Sequence, residues 1–223
     1  MSIWFLILIA IIAFAFITFI RKWHDYAMLF SIAIGFAVNA NIYNSVSNPV
    51  YFHNIIFAVD SILYTGFTFT VLICAKEYSV VKAKILTSSA IAAILISAMI
   101  EFFAEMSSNG YDFELVKNLL SYFFSALGTF FGIWVMLYIF EKLDRINIYI
   151  VFSICVLVSS IINSTIYYSY YLVVADDRSN IGYILLGSYI GKLLSIELGL
   201  ISYYINKHYW IPNDLKEKNI SEG

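Results

Sequence analysis

Apolar residues run along this chain in blocks of about twenty, separated by short polar stretches. A block of that length matches an α-helix crossing the ~30 Å hydrocarbon core of a bilayer at ~1.5 Å per residue. Seven blocks are read this way: 2–20, 26–46, 54–75, 83–104, 115–140, 147–174 and 181–205. The period-two alternation of a membrane β-barrel is absent, and Pro occurs only 2 times. Both features favour helices, because backbone in lipid must satisfy its own hydrogen bonds. The expected fold is an all-α integral membrane protein, a bundle of about seven transmembrane helices. Residues 1–206 form one transmembrane domain, and 207–223 form a short polar cytoplasmic tail after Pro212 ends the last helix. The sixth block, long and rich in Tyr, is the one expected to tilt or break near its outer end. The first block has no basic residue ahead of it and no small-x-small cleavage pattern, so it is read as a mature helix and not as a signal peptide.

Composition sharpens this picture. Apolar residues make up 61% of the chain and charged residues 13%, against about 25% charged in a soluble domain. The lipid bilayer is therefore the expected environment. Net charge is −2 with no basic tract, which excludes a nucleic-acid partner. Cys74 and Cys155 lie in separate apolar blocks and are read as small buried hydrophobes.

The basic residues set the orientation. Alternate connections hold Arg21 and Lys22; Lys76, Lys82 and Lys84; Lys142 and Arg145; and Lys207, Lys216 and Lys218. The opposite connections hold Lys117 and Arg178, and Lys192 lies inside the last block. Ten against two places the N-terminus outside and the C-terminus inside.

Ionisable groups at membrane depth are costly and mark candidate sites. Lys192 lies near the middle of the seventh block, and Glu197 follows five residues later, about 140° around the helix. Asp60 is about six residues into the third block, roughly 9 Å below its outer end. An Asp60–Lys192 pair is the preferred contact, with Glu101 the competing acid. The plainer reading is a structural ion pair that fixes helix register. Neutral polar residues cluster too: Asn39, Asn41 and Asn44 in the second block, Tyr64, Thr65, Thr68 and Thr70 in the third, and Ser159, Ser160, Asn163, Ser164, Thr165, Tyr167 and Tyr168 in the sixth. Any one of these often only bridges helices, but together, beside buried charges, they suggest a hydrated central cavity. The candidate solute-binding residues are Asn41, Asp60, Tyr64, Asn163, Lys192 and Glu197.

Small residues at four-residue spacing mark tight helix contacts: Gly128 and Gly132 in the fifth block, and Gly187, Gly191 and Ser195 in the seventh. The spacing leaves open whether each partner helix belongs to the same chain. His24, His53 and His208 lie at block ends and form no metal set, so no metal or cofactor is expected. Hydrolase and phosphate-loop motifs are absent, and the spacing of Ser, His and Lys suggests no nucleophile and base. The protein is not expected to be an enzyme.

Several short motifs resemble those of the VUT family of vitamin-uptake permeases, which includes queuosine-precursor transporters. They are Ala40-Asn41-Ile42; Lys76-Glu77-Tyr78 followed by Lys82-Ala83-Lys84; Phe140-Glu141-Lys142-Leu143; and Ser188-Tyr189-Ile190-Gly191-Lys192. In the last, a Tyr precedes an intramembrane Lys by three, as in that family. The chain departs from the pattern at the family's acidic positions, where Gly66, Thr68 and Thr70 stand, and at its Asp-Thr motif, here Ser164-Thr165. The resemblance implies uptake of a small solute, a vitamin or nucleobase-like precursor, across a bacterial plasma membrane. The rival expectation is a non-transporting membrane subunit that anchors or docks a partner, which loss of the family's acids favours. Protein partners on either reading are a second copy of the chain or another membrane protein.

Overall fold

The computed structural model describes residues 26–46, 50–52, 55–57, 59–143, 145–174 and 181–209. In chain order these form α1 (Tyr26–Val46), β1 (Val50–Phe52), β2 (Ile55–Phe57), α2 (Val59–Glu77), α3 (Val80–Asn109), α4 (Phe113–Lys142), α5 (Ile148–Val174) and α6 (Ile181–Tyr209). The block 2–20 and the stretch beyond Tyr209 lie outside the described residues. Each of the other six predicted blocks holds one helix. The sixth is unbroken through Val174, and α6 runs to Tyr209, three residues into the predicted tail.

The main difference falls on the predicted block 54–75. Its helix begins at Val59, and the residues before it form an antiparallel hairpin pairing Val50 with Phe57, Tyr51 with Ile56 and Phe52 with Ile55. Both strands are β-branched or aromatic at every position, which suits a strand. An apolar run by itself does not distinguish strand from helix. The second strand packs against α6.

Helix α2 is the axis of the bundle. Every residue from Ser61 to Ala75 is buried, and α1, α3, α5 and α6 all pack against it. Three threonines survive there because each satisfies itself. Thr65, Thr68 and Thr70 donate to the carbonyls of Ser61, Tyr64 and Gly66, each at 2.8 Å. The chain then reverses at once: Ser79 caps α3 by accepting from Lys82 N–H at 3.1 Å.

Helices α3 to α6 are four that are long and apolar enough to cross a membrane. Their polarity is reversed relative to a soluble bundle. On α5, Ile150, Ile154, Leu157 and Ile161 form an exposed stripe, while Ser159, Ser160, Asn163 and Ser164 are buried. Only lipid can serve such an outer surface, and the chain is a helical membrane protein.

The small-residue rows find their partners within the chain. A Cβ on Gly132 would lie 2.8 Å from the Ser159 carbonyl oxygen and 3.0 Å from the Tyr64 hydroxyl; one on Gly128 would lie 3.0 Å from the Asn163 carbonyl oxygen. Both rows repeat every four residues, so α4 and α5 meet backbone to backbone at these positions. On α6, Gly187, Gly191 and Ser195 are buried, and Gly199 continues the row, where a Cβ would lie 2.5 Å from the Phe69 ring of α2.

These contacts predict the response to added bulk. Gly132→Ala places a methyl against backbone that cannot rotate away and should cost about 1–3 kcal/mol. Gly182→Ala, where nothing lies within 4 Å, should hold or raise stability by up to about 1 kcal/mol through helix propensity. Thermal unfolding of both variants in detergent checks this; equal melting temperatures would show that α4 and α5 are not in close contact.

Candidate functional site

The site is built around one cation. Lys192 lies in mid-α6 with 4% of its surface exposed. Its Nζ donates to Ser164 Oγ at 2.6 Å and to Asn163 Oδ1 at 3.4 Å, and stands 5.0 Å from the centre of the Tyr64 ring. A charged donor makes strong hydrogen bonds, and the ring face adds a cation–π attraction. The partners are themselves held. Tyr64 Oη shares a hydrogen bond with Ser159 Oγ at 2.8 Å, and Asn163 Nδ2 donates to Thr129 Oγ1 at 3.4 Å. One ammonium thus ties together α2, α4, α5 and α6.

Asp60 sits in the first turn of α2. The expected direct Asp60–Lys192 ion pair is not formed: the ammonium goes to α5 instead, and Asp60 Oδ1 is buried with no hydrogen-bond partner. Ser61, the residue after Asp60, shares a hydrogen bond with Ser188 at 2.9 Å, and Ser188 precedes Lys192 by four residues, about one helical turn.

Both charges face one cavity. Its walls are Ala37 and Ala40 of α1, Asp60, Tyr64 and Phe67 of α2, Ile94 of α3, Ser125 and Thr129 of α4, Asn163, Ser164, Tyr167 and Tyr168 of α5, and Ser188 and Lys192 of α6. Helical spacing delivers these side chains, since four-residue steps recur in Asp60/Tyr64, Ser125/Thr129, Asn163/Tyr167, Ser164/Tyr168 and Ser188/Lys192. About 30 Å³ is open to the centre of a water molecule, room for roughly two or three waters.

Of the sequence-predicted residues, Asp60, Tyr64, Asn163 and Lys192 come together in this cavity. Asn41 follows the cavity residue Ala40 on α1, and its side chain lies outside what is described. Glu197 does not join them: five residues beyond Lys192, it has rotated to an exposed face. Glu101 is half-buried and accepts a hydrogen bond from Tyr122, so it is not the partner of Lys192. The threonines of α2, expected to enrich the cavity, bond to their own helix. Sequence reasoning missed Ser125, Thr129 and Ser188, and missed the Ser164–Lys192 contact. The available signal was spacing: Ser188 precedes Lys192 by four, and Ser125 and Thr129 flank Gly128. Among the described residues no cluster of His, Cys, Asp and Glu could hold a metal ion. No family model, curated protein or solved structure matches this chain.

The Tyr64–Ser159 hydrogen bond is the support on which the cation's aromatic face rests. Tyr64→Phe leaves Ser159 Oγ buried without that partner and should cost about 1–3 kcal/mol, as should Ser159→Ala for the Tyr64 hydroxyl. The double variant should lose clearly less than the sum. A thermal-unfolding cycle over the four proteins measures the coupling, and strict additivity would mean the two groups do not bond.

Proposed function

We propose that this protein is an uptake permease, or the substrate-binding membrane subunit of one, for a small polar solute in a bacterial plasma membrane. The observation that carries the reading is the cavity between six helices, lined by a buried ammonium and a buried carboxylate oxygen that are not hydrogen-bonded to each other, among hydroxyl and amide groups. Charges placed deep in a membrane bundle are expensive unless water, a partner or a ligand meets them. Lys192 would take an acidic or carbonyl group of the solute, and Asn163, Tyr64 and Asn41 would hydrogen-bond it. The motifs resembling the VUT family support the same reading and would make the solute a vitamin or nucleobase-like precursor. The small size of the cavity fits an occluded state, and access would follow from rocking of one helix group against another.

The full architecture proposed is seven membrane spans with the N-terminus outside. It rests on the apolar block 2–20 and on the ten-to-two distribution of basic residues. A docking subunit without transport calls for a partner-facing groove and no cavity at mid-depth, so the cavity speaks for the permease. A hydrolase is the other rival, since Ser164 Oγ lies 2.6 Å from Lys192 Nζ, the approach of a nucleophile to its base. Both residues sit in mid-helix, where backbone N–H groups are committed and do not supply an oxyanion site. The reading is therefore one of binding without covalent chemistry.

Two experiments test the proposal. Proteoliposomes carrying the protein should accumulate a solute from a bacterial metabolite extract, identified by mass spectrometry. Lys192→Met should cut that uptake by about tenfold or more, equivalent to about 1.4 kcal/mol, while Glu197→Gln leaves it unchanged. Absence of any accumulated solute would count against transport, and labelling of Ser164 by a fluorophosphonate would favour the hydrolase. For topology, a Cys at Asn109 should react with an impermeant maleimide in intact cells and one at Glu217 should not; Cys74 and Cys155 are buried and give little background. The reverse pattern would overturn the orientation.

A further inference from the structure

The geometry points to a compact zwitterion, a small amino acid or a molecule of that charge pattern, as the solute class of the cavity. This inference rests on the permease reading and assigns the solute class from the cavity, in place of the vitamin or nucleobase-like precursor that the motif resemblance suggests.

Lys192 and Asp60 line one cavity without bonding to each other. A buried charge needs a partner of opposite sign or strong hydrogen bonds. A ligand with a single charge would satisfy one of the two residues and repel the other. A neutral ligand carrying both signs satisfies both and leaves the net charge of the site unchanged.

Both residues also hold unused bonding capacity. An ammonium has three N–H donors. Two of those of Lys192 go to Ser164 and Asn163, which leaves one for a ligand carboxylate. Asp60 Oδ1 accepts no hydrogen bond from the protein although it is buried, and a ligand ammonium is the donor that suits it best.

Asp60 and Lys192 stand on different helices and line one small cavity. A ligand whose carboxylate and ammonium are separated by one or two carbons is short enough to meet both within it, with a charge-assisted hydrogen bond at each end. The room for roughly two or three waters admits such a molecule with small adjustment and disfavours a bulky one. Tyr64, whose ring already faces the ammonium, would close one side of the ligand.

The test uses the purified full chain in lipid nanodiscs, with glycine and L-alanine as probes, acetate and methylamine as their two halves, and uracil as an uncharged planar comparison. Glycine or L-alanine should raise the melting temperature and titrate to saturation in calorimetry. Acetate and methylamine should each bind at least about tenfold more weakly. Asp60→Asn and Lys192→Met should each weaken glycine binding by about tenfold or more, but with opposite residual preferences. Asp60→Asn should keep acetate and lose methylamine, and Lys192→Met should do the reverse. A merely structural role for the two residues would give no such exchange. Glycine binding no tighter than acetate, or equal loss of every probe in both variants, would overturn the inference. Should a variant fail to fold, the comparison of whole and half ligands on the unaltered protein still decides the matter. Saturable binding of uracil with none of glycine or L-alanine would overturn the zwitterion class while leaving the permease reading standing. Glycine binding without uptake of any solute into proteoliposomes would do the opposite.

Discussion

The Lys192 ammonium is the group on which the interior of this bundle depends. An unpaired cation at the centre of a bilayer costs about 2.5–3.5 kcal/mol on insertion scales. Here α5 supplies Ser164 and Asn163, and α2 supplies the Tyr64 ring. To place those groups, three helices must hold a fixed register around α6. Thr129 on α4 secures Asn163, and Ser159 on α5 secures Tyr64. The polar network is therefore more than a lining of the cavity. It specifies which helical faces meet, in an environment where lipid offers no hydrophobic drive between helices.

Close approach makes that network reachable. Gly128 and Gly132 let α4 press onto α5 beside Asn163 and Ser159, two of the α5 residues in the network. A side chain at either glycine would push the helices apart and open the hydrogen bonds with them. Packing and polar chemistry are thus linked at the same positions. Gly199 plays the corresponding part between α6 and α2, where Phe69 fills the space. The buried threonines of α2 stay out of the network by bonding to their own backbone, which keeps the central helix intact while Asp60 and Tyr64 serve the cavity.

The hairpin before α2 gives the site its asymmetry. Its second strand packs against α6, and α2 begins directly after it, which puts Asp60 in the first turn of that helix. A continuous helix through the predicted block would have placed the acid in mid-helix; the hairpin places it at the start of α2, where it faces the cavity and its Oδ1 has no hydrogen-bond partner.

The sequence alone determined the class of fold and most of the helices, because lipid imposes one requirement on every spanning segment: about twenty apolar residues with internally satisfied backbone. That requirement is local and can be read from a single chain. It located α1 at 26–46 and the ends of the later helices to within five residues, and it singled out Lys192 because a charge inside such a segment is conspicuous. The helical period also separated Glu197 from Lys192. What the sequence could not determine was the identity of the lysine's partners. Helical spacing says which side chains share a face of one helix, but the register between helices is set by the glycine contacts and by the Ser61–Ser188 bond. Only those tertiary contacts decided that Ser164 and Asn163, and not Asp60, would hold the ammonium. The hairpin was hidden for a related reason: an apolar run suits strand and helix alike until packing against α6 selects between them.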